Sequence, residues 1–100
     1  MAPDVVVGEV SNVDWSTTRD GSSVSAWIGS TEMANTQVRG GDYSLLVPRC
    51  RDSREINYYD GGAIIKFSID GFWAEQSRIL EYGGATVLNL HQTIDPVVIN

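Results

Sequence analysis

The alternation of apolar and polar positions along the chain predicts β-strands. The clearest example lies in residues 63–77, where apolar side chains at positions 65, 67 and 69 alternate with polar ones at 66, 68 and 70. Asp70 and Gly71 are residue types that supply the two positive-φ positions of a type I′ turn. This stretch is therefore predicted to form a β-hairpin, whose buried face needs a facing layer from the rest of the chain.

Similar patterns predict further strands on both sides of the hairpin. Gly8 interrupts the first of them and is interpreted as a bulge or a point of close packing. The last is expected to turn Leu88 and Leu90 inward. Short strands at turn-punctuated spacing favour an all-β fold, a Greek-key β-sandwich of about seven strands. Outside the hairpin, the predicted strands are residues 5–10, 23–28, 33–39, 43–47 and 86–90, with a short one at 56–59.

Length and composition indicate one folded domain. One hundred residues, 42% of them hydrophobic and 20% charged, can bury a core and differ from a disordered chain. The β-sandwich domain is assigned to residues 1–92, and residues 93–100 are interpreted as a tail or linker. The longest connection, residues 49–62, is charged and aromatic and lacks clear periodicity.

The charge and the single cysteine restrict the partners that are expected. A formal net charge of −6 opposes binding to nucleic-acid phosphates or anionic lipid surfaces. No apolar run approaches the roughly 20 residues of a membrane span, so membrane insertion is not expected. Residues 1–4 do not have the pattern of a signal peptide. Cys50 alone allows neither an internal disulfide nor a cysteine-based zinc site, but it leaves pairing between chains open.

Several segments resemble a known family. They are Gly8-Glu9-Val10, residues 21–29, residues 41–48, residues 65–71 with Ala74, and the Gly83-Gly84 pair before residues 88–90. In this order they resemble the transthyretin-like, or carboxypeptidase-regulatory-like, β-sandwich modules of bacterial and archaeal surface proteins. The resemblance implies an accessory module of a larger protein at an extracellular or cell-surface location.

The same resemblance raises the transthyretin-like hydrolases of urate degradation, which use several histidines and end in Tyr-Arg-Gly-Ser. This chain has only His91 and ends in residues 95–100 without that motif, so their active site is not carried over.

No set of residues points to catalysis or to a cofactor. His91 has no second metal ligand at suitable spacing and is interpreted as a solvent-facing residue at a strand end. Cys50 lacks a partnered histidine that would activate it as a nucleophile. Asp20, Asp60 and Asp70 each precede a glycine and are interpreted as turn formers rather than calcium ligands. The chain is therefore predicted to be neither an enzyme nor a metal or cofactor protein.

Aromatic side chains are the remaining candidates for a site. Trp27 is out of phase with the apolar set of its strand. Phe72 and Trp73 are adjacent, so their side chains must point to opposite faces of the sheet. Together with Tyr58 and Tyr59, these tryptophans are candidates for stacking on sugars or anchoring a protein, and covering the sandwich is the alternative. The predicted function is a non-catalytic accessory, spacer or docking module, with carbohydrate or protein binding as the second hypothesis.

Overall fold

The computed structural model describes residues 4–48, 63–81 and 83–98, and this part of the chain contains eight strands and no helix. The all-β prediction is thereby confirmed. The strands are β1 (Asp4–Ser11), β2 (Ser23–Ile28), β3 (Thr31–Gln37), β4 (Asp42–Val47), β5 (Ile64–Ile69), β6 (Phe72–Ile79), β7 (Ala85–Val87) and β8 (Leu90–Pro96). The predicted strand at residues 56–59 lies outside the described residues.

The strands form one nearly closed sheet. Its order is β3-β2-β5-β6-β8-β1-β4, with β7 paired to β1 off this path. The two end strands, β3 and β4, are consecutive in the chain and approach each other through an isolated bridge between Arg39 and Asp42. Because the path is continuous, the division into the two layers of a Greek-key sandwich is not confirmed.

The predicted central hairpin is present. β5 and β6 pair antiparallel, with Ile69 opposite Phe72, and Asp70 and Gly71 have φ angles of 49° and 86°. These two positive values match the predicted type I′ turn. The Asp70 carboxylate also accepts a hydrogen bond of 2.8 Å from the Ser23 backbone N–H, which ties the turn to the start of β2.

The concave side of the sheet holds the core. The alternation is clearest in β4, where Tyr43, Leu45 and Val47 are buried and Leu46 is exposed. The buried apolar set is Val6, Val10, Val24, Ala26, Met33, Val38, Tyr43, Leu45, Val47, Ile65, Phe67, Ile69, Ala74, Leu80 and Leu90.

The predicted last strand, residues 86–90, is divided in two, and this part of the prediction is wrong. β7 and β8 both run parallel to β1, beside its first and second halves respectively. Between them Leu88 and Asn89 leave the ladder, and Leu88 is only partly buried against the core. β8 then continues to Pro96, so residues 93–96, placed by the sequence pattern in a tail, are strand residues.

Gly8 explains where the division falls. A Cβ atom at this position would lie 2.4 Å from the Leu88 carbonyl oxygen, a distance that real Cβ contacts do not show. Only glycine lets the Leu88–Asn89 backbone cross this close to β1. The Asn89 side chain accepts a hydrogen bond from the Glu9 backbone N–H at 3.0 Å, in place of a ladder bond. The predicted close packing at Gly8 is confirmed.

A buried ion pair links the start of β1 to the end of β6. Asp4 is fully buried, and both of its carboxylate oxygens accept hydrogen bonds from Arg78, Oδ2 from Nε at 2.8 Å and Oδ1 from Nη2 at 2.7 Å. The Arg78 Nη1 group donates to the Thr86 hydroxyl of β7 at 3.0 Å. The hydrogen bond to Asp4 raises the pKa of Arg78. The pair therefore bridges three strands where β6 and β7 do not pair with each other.

Tyr43 provides a pH-dependent contribution to stability. Its hydroxyl is buried and donates a hydrogen bond of 2.5 Å to the Leu88 carbonyl oxygen. Burial raises the pKa of Tyr43 well above its ordinary value. The folded state therefore keeps this proton at a pH where the unfolded state, titrating near about pH 10, releases it. Above that pH the unfolded state is favoured by up to about 1.4 kcal/mol per pH unit.

We expect Tyr43→Phe to lower the free energy of unfolding by about 1 kcal/mol at pH 8, because one buried hydrogen bond is lost. The difference between the two proteins should shrink above about pH 10, since only the wild type has this ionisation to suppress. Urea unfolding of both proteins at several pH values measures this difference in the free energy of unfolding. A difference that stays constant through pH 11 would contradict this role of Tyr43.

Candidate functional site

The structure brings together two of the four predicted binding residues. Trp27 of β2 and Trp73 of β6 lie on the outer face of the sheet, with ring centroids 6.1 Å apart in an edge-to-face arrangement. The Lys66 amine lies 4.2 Å from the centroid of the Trp73 ring. Tyr58 and Tyr59 lie outside the described residues.

The Trp27–Trp73 pair covers polar groups of the sheet. Ser25 and Ser68 face each other on β2 and β5, and both are buried on this outer side. The Trp27 indole N–H donates to the Ser68 hydroxyl at 2.9 Å, so the polar edge of this ring is already satisfied. Both tryptophans are half-buried. This geometry agrees with the covering role considered for them, and their binding role stays a prediction.

Among the described residues, Trp15 is the most exposed aromatic side chain. It is 71% exposed, in the connection between β1 and β2. One face of its ring stacks on His91, with centroids 3.5 Å apart and planes 12° from parallel. Because the residue remains largely exposed, the other face is open to solvent. The indole is therefore a flat apolar surface supported from behind.

The backbone holds Trp15 in an unusual conformation. Its φ angle is 71°, a left-handed value that is uncommon for a residue of this size and costs about 1–3 kcal/mol. The turn around it is closed by hydrogen bonds of 2.9 Å from Trp15 N–H to the Asn12 carbonyl and from Asn12 N–H to the Ser16 carbonyl. Residues held in this way are concentrated at functional sites.

Polar side chains fix the same turn. The Asp14 carboxylate accepts hydrogen bonds from the Ser16 hydroxyl at 2.5 Å and from the Ser16 backbone N–H at 3.0 Å, and these bonds lower the pKa of Asp14. The Asn12 side chain donates to the Ser16 hydroxyl and accepts from the Thr18 hydroxyl. Hydrogen bonds between its neighbours therefore preorganise the turn that exposes Trp15.

His91 supports the Trp15 ring. It is buried, so the prediction that it faces solvent is wrong. It is only 6% exposed, because Trp15 folds back over its ring. Its Nδ1 atom lies 2.9 Å from the Ser11 hydroxyl oxygen, and its backbone N–H donates to the Gln76 side chain at 2.8 Å. Trp15 and Ser11 thus hold the imidazole ring, and Gln76 holds the His91 backbone, so the Trp15 ring stacks on an ordered residue.

A cleft of about 400 Å³ adjoins Trp15. Its volume falls in the range of small-molecule sites. The walls combine the indole with two carboxylates, an amide, two hydroxyls and the backbone of a glycine turn. The lining residues are Glu9, Val10, Ser11, Trp15, Thr17, Gly40, Gly41, Asp42, Asn89 and Leu90.

Two carboxylates of the cleft lie directly opposite each other. Glu9 of β1 and Asp42 of β4 are paired in register, both exposed on the outer face. The neighbouring pair is hydrogen-bonded, since Val10 N–H donates to the Gly41 carbonyl at 2.8 Å. Glu9 and Asp42 therefore occupy the non-hydrogen-bonded position, where facing side chains come closest. Within residues 4–48, 63–81 and 83–98, no cation forms a salt bridge with either of them.

The cleft offers binding groups without a recognisable catalytic set. Among the described residues, no group of three or more His, Cys, Asp or Glu side chains is arranged to hold a metal ion. The only histidine has its ring covered by Trp15. No helix in the described part of the chain is long and apolar enough to cross a membrane. The arrangement is suited to contact with a ligand through stacking and hydrogen bonds.

Trp15 was not among the residues singled out from the sequence as a binding set. The turn-forming residues Asn12, Asp14 and Ser16 around it were a usable signal, because a surface turn holds its side chains away from the core. The stack on His91 had no local signal.

Comparison of the chain with protein-family models, with curated proteins and with solved structures found no match. The proposed function is therefore based on the fold and the cleft.

Proposed function

We propose that this chain is a non-catalytic, carbohydrate-binding accessory module of a larger protein, and that Trp15 is the platform on which a sugar ring stacks. The observation that carries the proposal is the display of Trp15, a large ring that is 71% exposed, left-handed at φ and stacked on a buried histidine. An arrangement that costs backbone strain and exposes apolar surface is explained by contact with a ligand.

The groups beside the ring support a sugar as the ligand. Pyranose rings present an apolar face of C–H groups and a rim of hydroxyls, which donate and accept hydrogen bonds. Glu9 and Asp42 supply acceptors, and the Asn89 amide, whose oxygen already accepts from Glu9 N–H, has its Nδ2 group available as a donor. The cleft thus pairs an aromatic surface with a few convergent polar groups, as small-molecule sites do.

The setting of the module is also proposed. The resemblance to transthyretin-like sandwich modules, with the Greek-key arrangement that it implies, supports an accessory role beside other domains at an extracellular or cell-surface location. A spacer or docking role without a sugar ligand is the second candidate, favoured by the Trp27–Trp73 pair, which covers the outer face of β2, β5 and β6.

Binding to an array of immobilised glycans tests the proposal. We expect wild type to bind, and Trp15→Ala to lose about 30-fold in affinity for the glycan selected, because truncating a central aromatic contact costs about 2 kcal/mol. Trp15 contributes little to the core, so the variant should keep the wild-type unfolding transition.

Trp73→Ala is the comparison variant, since it removes a tryptophan on a different part of the sheet. It should retain binding as long as circular dichroism shows an intact fold. Loss of binding in Trp73→Ala with full binding in Trp15→Ala would move the site to the Trp27–Trp73 pair. Absence of binding to any glycan would leave the spacer or docking role.

A further inference from the structure

We infer that the cleft beside Trp15 selects sugars that carry a protonated amine, such as the free amino sugars of de-N-acetylated polysaccharides. This inference rests on the proposed function, because it concerns the same cleft and names the chemical class of the sugar. It is carried by the position of Glu9 and Asp42 relative to the indole ring.

The two carboxylates are paired at a cost. Like charges directly opposite each other in a non-hydrogen-bonded pair destabilise a sheet. Asp42 begins β4 and Glu9 lies within β1, so the sheet fixes both positions at the rim of the cleft. Since neither has a salt-bridge partner in the part of the chain that the structure describes, a cation from a ligand would relieve the repulsion.

The cleft also lacks groups that would favour an anionic sugar. Among the described residues, those that line it include two carboxylates and no lysine, arginine or histidine. A uronic or sialic acid would place a carboxylate against Glu9 and Asp42, which like-charge repulsion opposes. The formal charge of −6 for the whole chain acts in the same direction.

The aromatic surface favours an amino sugar over a simple cation. An ammonium ion alone would use the carboxylates and the ring face. It would leave the Asn89 amide donor and the Thr17 hydroxyl without partners, whereas the hydroxyls of a sugar can pair with both. The combination of a flat ring, donors, acceptors and two anions therefore matches a pyranose with an amino substituent.

The test compares fully de-N-acetylated chito-oligosaccharides with N-acetylated ones of equal length. Binding is measured by isothermal titration calorimetry at about pH 5.5, where the sugar amines are largely protonated. We expect the amino form to bind at least about tenfold more tightly at low salt. The preference should shrink between about 20 and 200 mM salt, because exposed charges are screened.

Charge-removing variants show whether the cleft causes the preference. Glu9→Gln with Asp42→Asn should abolish this preference, and it should weaken binding of the amino sugar much more than binding of the N-acetylated sugar, because the amides keep an acceptor oxygen at both positions but lose the charge. Glu75→Gln with Asp95→Asn removes the same two charges at exposed positions outside the cleft and should leave the preference intact.

Three outcomes would overturn the inference even if a sugar binds. They are equal affinity for the two sugars, a preference that survives Glu9→Gln with Asp42→Asn, and equally tight binding of a lysine-containing peptide, which would indicate a cationic protein segment as the ligand. If N-acetylated sugars bind well through Trp15 without preference, the proposed function stands and this inference fails. If neither sugar binds, both fail.

Discussion

Replacing Asp4 with alanine is expected to lower the free energy of unfolding by about 3 kcal/mol, the lower end for a broken buried pair, because it leaves the partly buried Arg78 guanidinium without its partner. Both oxygens of Asp4 accept from Arg78, and Oδ2 also accepts from the Glu81 backbone N–H at 3.3 Å. No other described acid forms a salt bridge with Arg78. Urea unfolding followed by tryptophan fluorescence measures the loss.

Two further variants separate the charge from the packing. Asp95→Ala removes an exposed carboxylate on β8 and should change stability by less than about 0.5 kcal/mol. Asp4→Leu combined with Arg78→Met replaces the pair by apolar side chains and should recover most of the loss, as buried pairs often do. A loss below about 1 kcal/mol in Asp4→Ala would show that the pair does not hold β1, β6 and β7 together.

Replacing Gly8 with alanine is expected to destabilise the fold by about 1–3 kcal/mol through overpacking. The upper end applies because the atom that the new methyl group meets is the Leu88 carbonyl oxygen, a backbone atom that cannot rotate away. Displacing Leu88 would also disturb the hydrogen bond that its backbone N–H donates to the Val7 carbonyl at 2.7 Å.

Ser44→Ala is the control for Gly8→Ala. Ser44 is an exposed residue of β4, paired with Val7 across the ladder, and its side chain forms no hydrogen bond within the described residues. Its replacement should be nearly neutral. Chemical denaturation of both variants gives the comparison, and a Gly8→Ala protein as stable as Ser44→Ala would contradict the close crossing of β1 by Leu88.

Local patterns were sufficient for most of the strands. The central hairpin is determined by Asp70 and Gly71 together with the alternation before them, and both signals lie within a few residues. The burial of alternate residues in β4 follows from the same period of two. Such features are predictable because the turn chemistry and the buried face agree.

Features that depend on distant residues were not predictable. The division of the last strand depends on Gly8, and the buried carboxylate of Asp4 depends on Arg78, which lies 74 positions away. The closure of the sheet between β3 and β4 likewise arises from the whole set of strand pairings. Pattern reasoning assigns a strand and its buried face, but it does not determine which strands become neighbours.

The candidate site shows the same limit. Parity correctly placed Trp27 outside the core, yet its indole N–H is bound to Ser68 and its ring packs against Trp73. Trp15 is exposed because of a left-handed φ and a stack on His91, and neither is visible in an alternation of apolar and polar residues. Exposure of an aromatic side chain depends on what covers it, which is a property of the assembled fold.

The most direct test of the account follows the three tryptophan indole N–H signals by nuclear magnetic resonance while a soluble chito-oligosaccharide is added. If Trp15 is the sugar platform, its signal should shift saturably. The Trp27 and Trp73 signals should stay nearly unchanged, because their rings lie on another part of the sheet. A shift confined to Trp27 or Trp73, or no shift at saturating sugar, would contradict the assignment of Trp15 as the ligand platform.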